Sequence, residues 1–459
     1  MSISPPPKPR HVVAIPYPGR GHINPLMNLC KQLISNYSTT RTQNLVITFV
    51  ITEEWLGFIG SEAKPTNIQF ATIPNVLPSE LSRASNMVGF LRATQTKMAE
   101  PFGKVFEEVE KKMKVDFIIA DSFMNWVIEF GARRNIMVAS FWPMSAMVFT
   151  IFHHSHLLVQ NGQYPLELSE RGEELVDYIP GIPSIRLADI PTLFHIPDNS
   201  LLKLALNAIS YVEMANFLLF PSIYELESSV IDALRQEFSF PVYTFGPLIP
   251  YFDMGKHNSK EDNEYLQWLD NQSPNSVLYV SLGSFLSVSE AQMDEIALGL
   301  QDSGVKYLWV ARGDTPKLRE KCGDTGIIVT WCEQLKVLCH GAIGGFWTHC
   351  GFSSTMESVF AGVPMLTLPI LMDQTTNKKN VVQDWNIGLE VKRGEGVEKL
   401  VSCKDISQLI KTLMDSEGKE RKKMLKRAKE LQQVSQEAIS EQGSSCNNLN
   451  AFLGDILDS

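Results

Sequence analysis

Cysteine is scarce in this sequence, and no cysteine pattern suggests cross-linking. Seven cysteines occur in 459 residues, and none forms a C-x-x-C pair. An odd, scattered set favours free thiols in a reducing compartment over a disulfide scaffold. No stretch approaches the roughly 18 apolar residues of a membrane span, and the proline-rich N-terminus lacks the apolar segment of a secretory signal. We therefore expect a cytoplasmic protein without a membrane span.

Positive charge is also in short supply. Lys and Arg number 41 against 51 Asp and Glu, which gives a formal net charge of −10 at pH 7. This balance argues against a nucleic-acid surface, where basic residues cluster. Between Lys336 and Lys378 the chain contains no Lys or Arg. If a phosphate group binds in this stretch, backbone amides, hydroxyl groups and a histidine must hold it.

A third glycine is missing from the glycine-containing turn near the N-terminus. The β-branched run from His11 to Pro16 predicts a first strand, and a helix is expected to begin near Asn24-Pro25. Gly19 and Gly21 suggest a dinucleotide site, but Asn24 stands where that motif needs its third glycine. A nicotinamide-dependent oxidoreductase is therefore disfavoured as an alternative.

The same turn does contain His22, at a strand–helix junction where open α/β sheets bind ligands. A second short apolar strand ends in Asp121. If the two strands are parallel, His22 and Asp121 lie at the same edge, where the carboxylate would fix the histidine tautomer. The alternative for Asp121 is a cap on a helix from Phe123 to Arg133, since strand-end carboxylates often cap helices.

The segment from Trp331 to Gln374 has the pattern of an anion site. An apolar run from Ala342 to Trp347 predicts a buried strand, and a tight turn and a helix start near Ser353 follow it. The first N–H groups of such a helix point at whatever binds there. Each residue also has a structural alternative. Ser354 and Glu357 fit a capping box, Asp373 could cap the next helix, Trp331 could belong to the core, and His349 could be a loop histidine.

This segment resembles, without gaps, the signature box of plant family 1 glycosyltransferases, which transfer sugar from UDP-sugars to small molecules. The resemblance implies that Trp331 stacks on uracil and that Gln334 and Glu357 bind the ribose. It implies that His349 and Ser354 bind the diphosphate, and that Asp373 and Gln374 read the sugar hydroxyls. Gln at this last position commonly accompanies glucose. The box also places Cys332, Gly351, Phe352 and Ser353 at the donor site.

Two positions depart from the family pattern. Phe352 replaces a common Trp and has no indole N–H, and Ser353 replaces a longer Asn. Elsewhere the resemblance continues. The N-terminal P-x-P-G-x-G-H-x-N-P segment is similar to the family's catalytic loop, which makes His22 the general base and Asp121 its partner. The turn at Gly283 and Ser284 corresponds to a second diphosphate-contacting loop, with a plain turn as the alternative.

Two runs of alternating strands and helices flank a polar, Pro- and Gly-containing segment near residue 250, which we predict to be a linker. This pattern predicts two doubly wound α/β domains, and the resemblance implies the GT-B fold, in which two Rossmann-like domains face a cleft. The predicted domains are residues 1–248 for the acceptor and 249–440 for the UDP-sugar. Residues 441–459 are predicted to form a helix that returns to the N-terminal domain.

Three histidines close in sequence, His153, His154 and His156, suggest a metal site. Positions i, i+1 and i+3 of a helix converge poorly, however, and no Asp, Glu or Cys lies nearby in sequence to complete a ligand set. We therefore expect no metal ligands. The apolar composition of this region better suits an acceptor-pocket wall or core.

The predicted enzyme is an inverting UDP-glycosyltransferase of plant secondary metabolism that uses UDP-glucose as a substrate and needs no cofactor. It is expected to be a monomer that glycosylates a hydroxyl or carboxyl group of a small hydrophobic acceptor. The alternative from another class is a catalytically silent UDP-sugar-binding protein, against which the intact pair His22 and Asp121 argues. The acceptor itself does not follow from the sequence.

Overall fold

The structure, a computed structural model, describes residues 9–40, 45–61, 64–165, 168–254, 262–283, 288–311, 318, 320–321, 323, 325–392 and 400–458. The chain forms two compact units. The first unit runs to Leu187, continues through Leu193–Leu248 and ends with the segment from Glu437. The second unit combines Ile249–Gln436 with the short segment Ala188–Thr192. No sequence pattern predicted that Ala188–Thr192 would belong to the second unit.

The first unit is built on a parallel sheet of continuous apolar strands, as expected where both faces are covered. In spatial order its seven strands are β3 (Ile68–Ile73), β2 (Leu45–Thr52), β1 (Arg10–Ile15), β4 (Phe117–Asp121), β5 (Met137–Phe141), β8 (Phe217–Phe220) and β9 (Val242–Thr244). A separate antiparallel pair consists of β6 (Leu175–Val176) and β7 (Ile185–Arg186). The order reverses direction between β1 and β4, so the ends of these two strands form a topological switch point.

Helices connect the strands of this unit. They are α1 (Arg20–Thr40), α2 (Glu53–Ile59), α3 (Met87–Lys97), α4 (Ala99–Lys112), α5 (Trp126–Arg134), α6 (Ala146–His153), α7 (Ser155–Gln160), α8 (Leu168–Arg171), α9 (Ser200–Ser210) and α10 (Tyr224–Glu237). The predicted start of the first helix near Asn24 was wrong. The carbonyl of Gly19 accepts from the N–H groups of His22 and Ile23, so the helix begins earlier and Pro25 lies inside it.

The second unit contains a six-stranded parallel sheet. Its spatial order is β12 (Ile327–Val329), β11 (Lys306–Val310), β10 (Val277–Ser281), β13 (Ile343–Thr348), β14 (Met365–Thr367) and β15 (Gly388–Glu390). Its helices include α11 (Asp262–Asp270), α12 (Glu290–Ser303), α13 (Gln334–Leu338), α14 (Phe352–Ala361), α15 (Gln374–Lys379), α16 (Cys403–Met414) and α17 (Lys419–Ala438). The switch point of this sheet lies between β10 and β13. None of the helices in the described parts of either unit has the length and apolar character to cross a bilayer.

The last helix, α18 (Ser444–Asp458), packs on the sheet of the first unit. The Phe452 ring is fully buried and lies 5.7 Å from the rings of Phe117 and Phe217, measured between ring centroids. The hydroxyl of Tyr243 donates to Asp455 at 2.6 Å. Because the helix covers apolar strand residues, removing the Phe452 ring would cost roughly 3–5 kcal/mol of stability.

Candidate functional site

The switch point of the first unit brings His22 and Asp121 together. His22 lies in the first turn of α1, directly after β1, and Asp121 is the last residue of β4. The two strands are paired in parallel up to Ile15 and Ala120, so both side chains emerge at the same edge. Nδ1 of His22 lies 2.8 Å from Oδ2 of Asp121. The Asp121 side chain is fully buried, whereas that of His22 is 21% exposed.

Asp121 is held in place by its second carboxylate oxygen, Oδ1, which accepts from the N–H of Phe123 at 3.0 Å. Asp121 does not cap α5, contrary to the alternative considered above. That helix begins at Trp126, and the Asn125 side chain accepts from its first N–H. Because Oδ2 can only accept while ionised, Nδ1 of His22 carries the proton of this bond, and Nε2 remains for a ligand.

Aromatic rings surround the imidazole of His22. The centroid of the His22 ring lies 4.8 Å from that of Tyr17 and 5.7 Å from that of Phe123. Phe123 in turn stacks on the buried ring of Trp142 at 5.4 Å. The side of the unit that carries Nε2 is therefore suited to an apolar or aromatic molecule.

The switch point of the second unit carries His349 between two glycines. His349 follows β13, and Gly283 follows β10. A Cβ on Gly283 would lie 2.9 Å from Nε2 of His349, and one on Gly351 would lie 2.5 Å from it. Gly283 also has φ of +93°, so both space and conformation require glycine there. Ser284 lies outside the described residues.

His349 has a neutral ring at physiological pH. Burial lowers the pKa of His349 to about 4, against a smaller opposing effect of a main-chain hydrogen bond with Ser281. The next basic residue along the chain, Lys378 in α15, is buried, and its Nζ donates to Asp189 at 2.7 Å and to Glu390 at 3.0 Å. An anion at this turn would therefore meet neutral donors rather than a cation.

Helix α14 begins beside His349, with Gly351 as its N-cap. Glycine offers no capping side chain, so the N–H groups of Phe352, Ser353 and Ser354 in the first turn are available to a ligand. The capping-box alternative for Ser354 and Glu357 was wrong, because Ser354 lies within the first turn rather than at the N-cap. Phe352 is itself buried, and Ser353 is half-buried.

The Gln334 side chain links the predicted ribose and diphosphate residues. Its Nε2 donates to the Ser354 hydroxyl at 2.9 Å and to a Glu357 carboxylate oxygen at 2.8 Å. Its Oε1 accepts from the hydroxyl of Tyr279 at 3.2 Å. The sequence analysis missed Tyr279, which is an ordinary apolar position in the pattern of β10. Burial raises the pKa of Tyr279 well above 10, which keeps its hydroxyl protonated as a donor.

Glu357 is the carboxylate of this cluster. Burial raises its pKa to about 7, while the hydrogen bond from Gln334 acts in the opposite direction. A group that donates hydrogen bonds to this carboxylate would favour its ionised form. Two residues at the start of the segment differ in exposure. Cys332 is buried with its Sγ 3.4 Å from the Tyr279 hydroxyl. Trp331 is 57% exposed, so the core alternative for it was wrong.

Asp373 and Gln374 are part of a tightly bonded loop. Met372 before them has a φ of +67°, which is unusual for a residue other than glycine. Oε1 of Gln374 accepts from the N–H groups of Ile370 and Leu371 at 2.7 and 3.0 Å. The Asp373 side chain does not cap α15. It accepts instead from Nδ2 of Asn377 at 2.7 Å, and the same nitrogen donates to the carbonyl of Cys350.

The segment Ala188–Thr192 forms hydrogen bonds with the loop that contains Met372. The Thr192 hydroxyl accepts from the N–H of Met372 at 2.7 Å, and the Thr192 N–H donates to the Met372 carbonyl at 2.9 Å. Asp189 forms the buried ion pair with Lys378. Breaking such a pair by removing one partner costs roughly 3–5 kcal/mol. No sequence feature predicted these contacts, which join residues 180 to 189 positions apart.

A second cluster of polar side chains lies in the first unit, away from His22 in sequence. No acid lies near His153 and His154 along the chain, but the packing of α6 on α10 brings Glu237 to both rings, a contact that the sequence argument missed. The Nε2 atoms lie 2.9 and 3.2 Å from the two carboxylate oxygens. The histidines also do not share one continuous helix, since α6 ends at His153 and α7 begins at Ser155.

Comparison with known proteins identifies the family. The family model described as UDP-glucoronosyl and UDP-glucosyl transferase matches residues 215–432. UDP-glycosyltransferase 87A2 of Arabidopsis thaliana is 47% identical over 454 residues, which are 99% of this chain and 98% of that protein. The chain belongs to the plant family 1 UDP-glycosyltransferases. This glycosyltransferase is therefore an enzyme that acts on a UDP-sugar.

Solved structures agree on the fold. The structure of Phytolacca americana UGT2 complexed with UDP-2fluoro-glucose and pterostilbene matches with a TM-score of 0.83 and 25% identity, covering 98% of this chain and 99% of that chain. A Polygonum tinctorium UDP-glucosyltransferase capable of glucosylating indoxyl matches with a TM-score of 0.81 and 27% identity over 99% and 100% of the two chains. The glycosyltransferase thus has the GT-B fold with two Rossmann-like domains.

Proposed function

We propose that this glycosyltransferase moves glucose from UDP-glucose to a hydroxyl or carboxyl group of a small hydrophobic acceptor, with inversion at the anomeric carbon. The observation that carries the proposal is the 2.8 Å contact between Nδ1 of His22 and Oδ2 of Asp121, which leaves Nε2 outside that bond on a ring flanked by Tyr17 and Phe123. This is the geometry of an oriented general base.

In the proposed reaction, Nε2 of His22 takes the proton of the acceptor hydroxyl. The oxygen attacks the anomeric carbon as the bond from that carbon to the diphosphate oxygen breaks, and UDP leaves with the bonding electrons. The proton then resides on the imidazole, and Asp121 stabilises the resulting positive charge. One displacement step inverts the configuration at carbon.

Charge develops on the diphosphate as UDP leaves. The neutral ring of His349, the Ser354 hydroxyl and the first N–H groups of α14 are the donors we assign to it. Gly283, Ser284 and Gly351 belong to the same diphosphate site in this assignment, as do Phe352 and Ser353 of the first helical turn. Glu357 and Gln334 are assigned to the ribose, and Trp331 with the adjacent Cys332 to the uracil. The 57% exposure of the indole supports stacking on a base.

Glucose as the donor sugar rests on Asp373 and Gln374. The Oε1 atom of Gln374 is used by the N–H groups of Ile370 and Leu371, so its amide N–H groups are the donors available for a sugar hydroxyl. Gln374→Glu keeps Oε1 as an acceptor but replaces these donors with an acceptor oxygen. We expect a large loss of UDP-glucose turnover with a much smaller change in the Kd of free UDP. Equal weakening of UDP and UDP-glucose would remove Gln374 from the sugar-reading role.

The acceptor class is supported by the aromatic rings around His22 and by two of the structural relatives. Pterostilbene is bound in the Phytolacca structure, and indoxyl is glucosylated by the Polygonum enzyme. We therefore propose hydroxylated aromatic or terpenoid molecules as acceptors. Dissolved anions and large polar glycans fit these surroundings less well.

The test is UDP release from UDP-glucose, UDP-xylose and UDP-galactose against a panel of phenols and terpenoid alcohols, with wild type beside His22→Ala. We expect turnover with UDP-glucose that is lost in the variant. Stabilisation by UDP without turnover on any acceptor would favour a binding protein over an enzyme that uses this panel. No turnover and no thermal response to UDP would overturn the donor site itself.

A further inference from the structure

Two histidines and one carboxylate converge at the ends of α6 and α10, in residues that the proposed transfer reaction does not use. His153 is the last residue of α6, His154 is its C-cap, and Glu237 is the last residue of α10. Their ligand atoms all lie within 4.8 Å of one another. Nε2 of His153 is 2.9 Å from Oε1 of Glu237, and Nε2 of His154 is 3.2 Å from Oε2.

Hydrogen bonds at the start of α6 also fix the two helices that carry the cluster. At the start of α6, the buried carboxylate of Glu227 on α10 accepts from the N–H groups of Ala146 and Met147 at 3.1 and 2.8 Å. The two helices are thus bonded to each other about two turns of α6 away from the histidines. The positions of the three ligand groups are set by this packing before any ion binds.

The tautomer of His154 follows from its other ring nitrogen. Nδ1 lies 3.1 Å from the main-chain carbonyl of Thr150, which can only accept, so Nδ1 carries a hydrogen. A neutral His154 therefore directs a lone pair from Nε2 at the Glu237 carboxylate. Two acceptors at 3.2 Å repel unless a cation, either a proton or a metal ion, lies between them.

The surroundings resemble those of a metal-ligating histidine. A carbonyl that accepts from the second ring nitrogen fixes the orientation of such ligands. The ring of Phe149 stacks on His153 at 5.6 Å, and Phe238 lies 5.2 Å from it on α10's side, which provides an apolar shell. His154 is buried, whereas Glu237 is exposed and gives the site access to solvent.

We propose that His153, His154 and Glu237 form a three-ligand site for a divalent transition-metal ion, with Zn²⁺ as the best fit. Two imidazoles and one carboxylate are a ligand set that Zn²⁺ accepts, with a water molecule at the fourth position. Tetrahedral ligands about 2.0–2.1 Å from the metal are roughly 3.3 Å apart. The 2.9 and 3.2 Å contacts end on the two different oxygens of Glu237, and the three ligand atoms lie within 4.8 Å of one another, so the side chains would draw together around the ion. The ion would join the ends of α6 and α10.

The experiment is a calorimetric titration of the chelator-treated, full-length protein with Zn²⁺ at pH 7.5, in wild type and three single variants. His154→Gln and Glu237→Gln each remove one ligand from a different helix. His156→Asn is the matched control, since His156 is exposed and its ring centroid is 6.1 Å from that of His154 but it lies outside the ligand set. We expect one Zn²⁺ per chain, at least 10-fold weaker binding in both ligand variants, and unchanged binding in the control.

Thermal unfolding provides the second measurement. We expect Zn²⁺ to raise the Tm of wild type and of His156→Asn but not that of His154→Gln or Glu237→Gln, because only a ligand bound to the folded state stabilises it. Equal Zn²⁺ affinity in all four proteins would overturn the site. The absence of saturable binding by wild type at Zn²⁺ concentrations up to about 1 mM would overturn it as well. In that result the cation between His154 and Glu237 is a proton.

Discussion

His22 and His349 each follow a strand at the switch point of a parallel sheet. His22 follows β1, whereas His349 follows β13, which takes the place of β4 in the second sheet. Their neighbours differ. His22 has the Asp121 carboxylate 2.8 Å from Nδ1, whereas His349 is packed between Gly283 and Gly351 and burial lowers its pKa to about 4. One ring can accept and hold a proton, and the other stays neutral, with one ring nitrogen as a hydrogen-bond donor and the other as an acceptor. A switch point of a parallel sheet thus supports two different kinds of chemistry, according to whether a carboxylate or a glycine faces the histidine ring.

The largest effect is expected for the ring that handles the proton. His22→Ala should lower turnover by roughly 10²–10⁴-fold, the usual contribution of general-base catalysis. The Kd of UDP should be unchanged, because the residues assigned to UDP belong to the second unit. UDP release and calorimetry measure the two quantities. Turnover equal to wild type would remove His22 from the role of base.

Removing the charge beside that ring tests why His22 and His349 differ. Asp121→Asn preserves an acceptor for the N–H of Phe123 but not the negative charge. We expect turnover to fall by about 10²-fold, at the lower end of the range for base catalysis. The Tm should be recorded alongside, because the buried carboxylate also has a structural bond. Normal turnover in a protein of normal Tm would contradict the pairing.

The second histidine should show a smaller effect that lies in binding. His349→Ala removes one neutral donor. A single such hydrogen bond is worth about 0.5–1.5 kcal/mol, so UDP should bind about 2- to 13-fold more weakly. Because the pKa of His349 is lowered to about 4, the ring should add no pH dependence to UDP binding between about pH 6 and 8. If the variant abolished a pH dependence present in wild type over that range, His349 would be a proton carrier after all.

The smallest and most specific effect concerns Glu357, whose pKa is raised to about 7 by burial. Ribose hydroxyls donate to the ionised carboxylate, so UDP affinity should rise with pH up to about 7 and then level off. The stability of the protein without UDP should depend on pH in the opposite direction. A carboxyl pKa raised above its ordinary value makes the free energy of unfolding fall as pH rises from about 4.5 through 7.

Glu357→Gln isolates this contribution from the ionisation of UDP itself, which is common to both proteins. UDP affinity should be measured by calorimetric titration from pH 5.5 to 8.5. Across this range we expect the affinity of wild type to rise several-fold more than that of Glu357→Gln. Superimposable pH profiles would show that Glu357 does not bind UDP in its ionised form.

The local elements of both switch points could be predicted from sequence. The strand before His349, the glycine turn and the helix after it follow from an apolar run, small residues and a helix start within a few positions. Helix boundaries were less accurate. The first helix was predicted to begin near Asn24, but α1 begins at Arg20 because its first turn closes on the Gly19 carbonyl. Such bonds depend on turn geometry, which residue types specify only loosely.

The candidate site was predictable residue by residue only where a known motif covers it. Tyr279 lies in an ordinary apolar strand pattern, yet its hydroxyl donates to Gln334, 55 positions later. The same holds for Thr192, which bonds Met372 across 180 positions. Neither contact has a local periodicity or spacing that would reveal it.

The sequence by itself determined the βα alternation, the two glycine-containing turns and the residues of the signature segment, because these depend on near neighbours along the chain. Only the tertiary structure decided the partners of those residues. It placed Asp121 against His22, paired Lys378 with Asp189 and carried Glu237 to His153 and His154. These contacts arise from the order of strands in a sheet and the packing of helices, and the pKa values that govern the chemistry depend on burial that no single segment specifies.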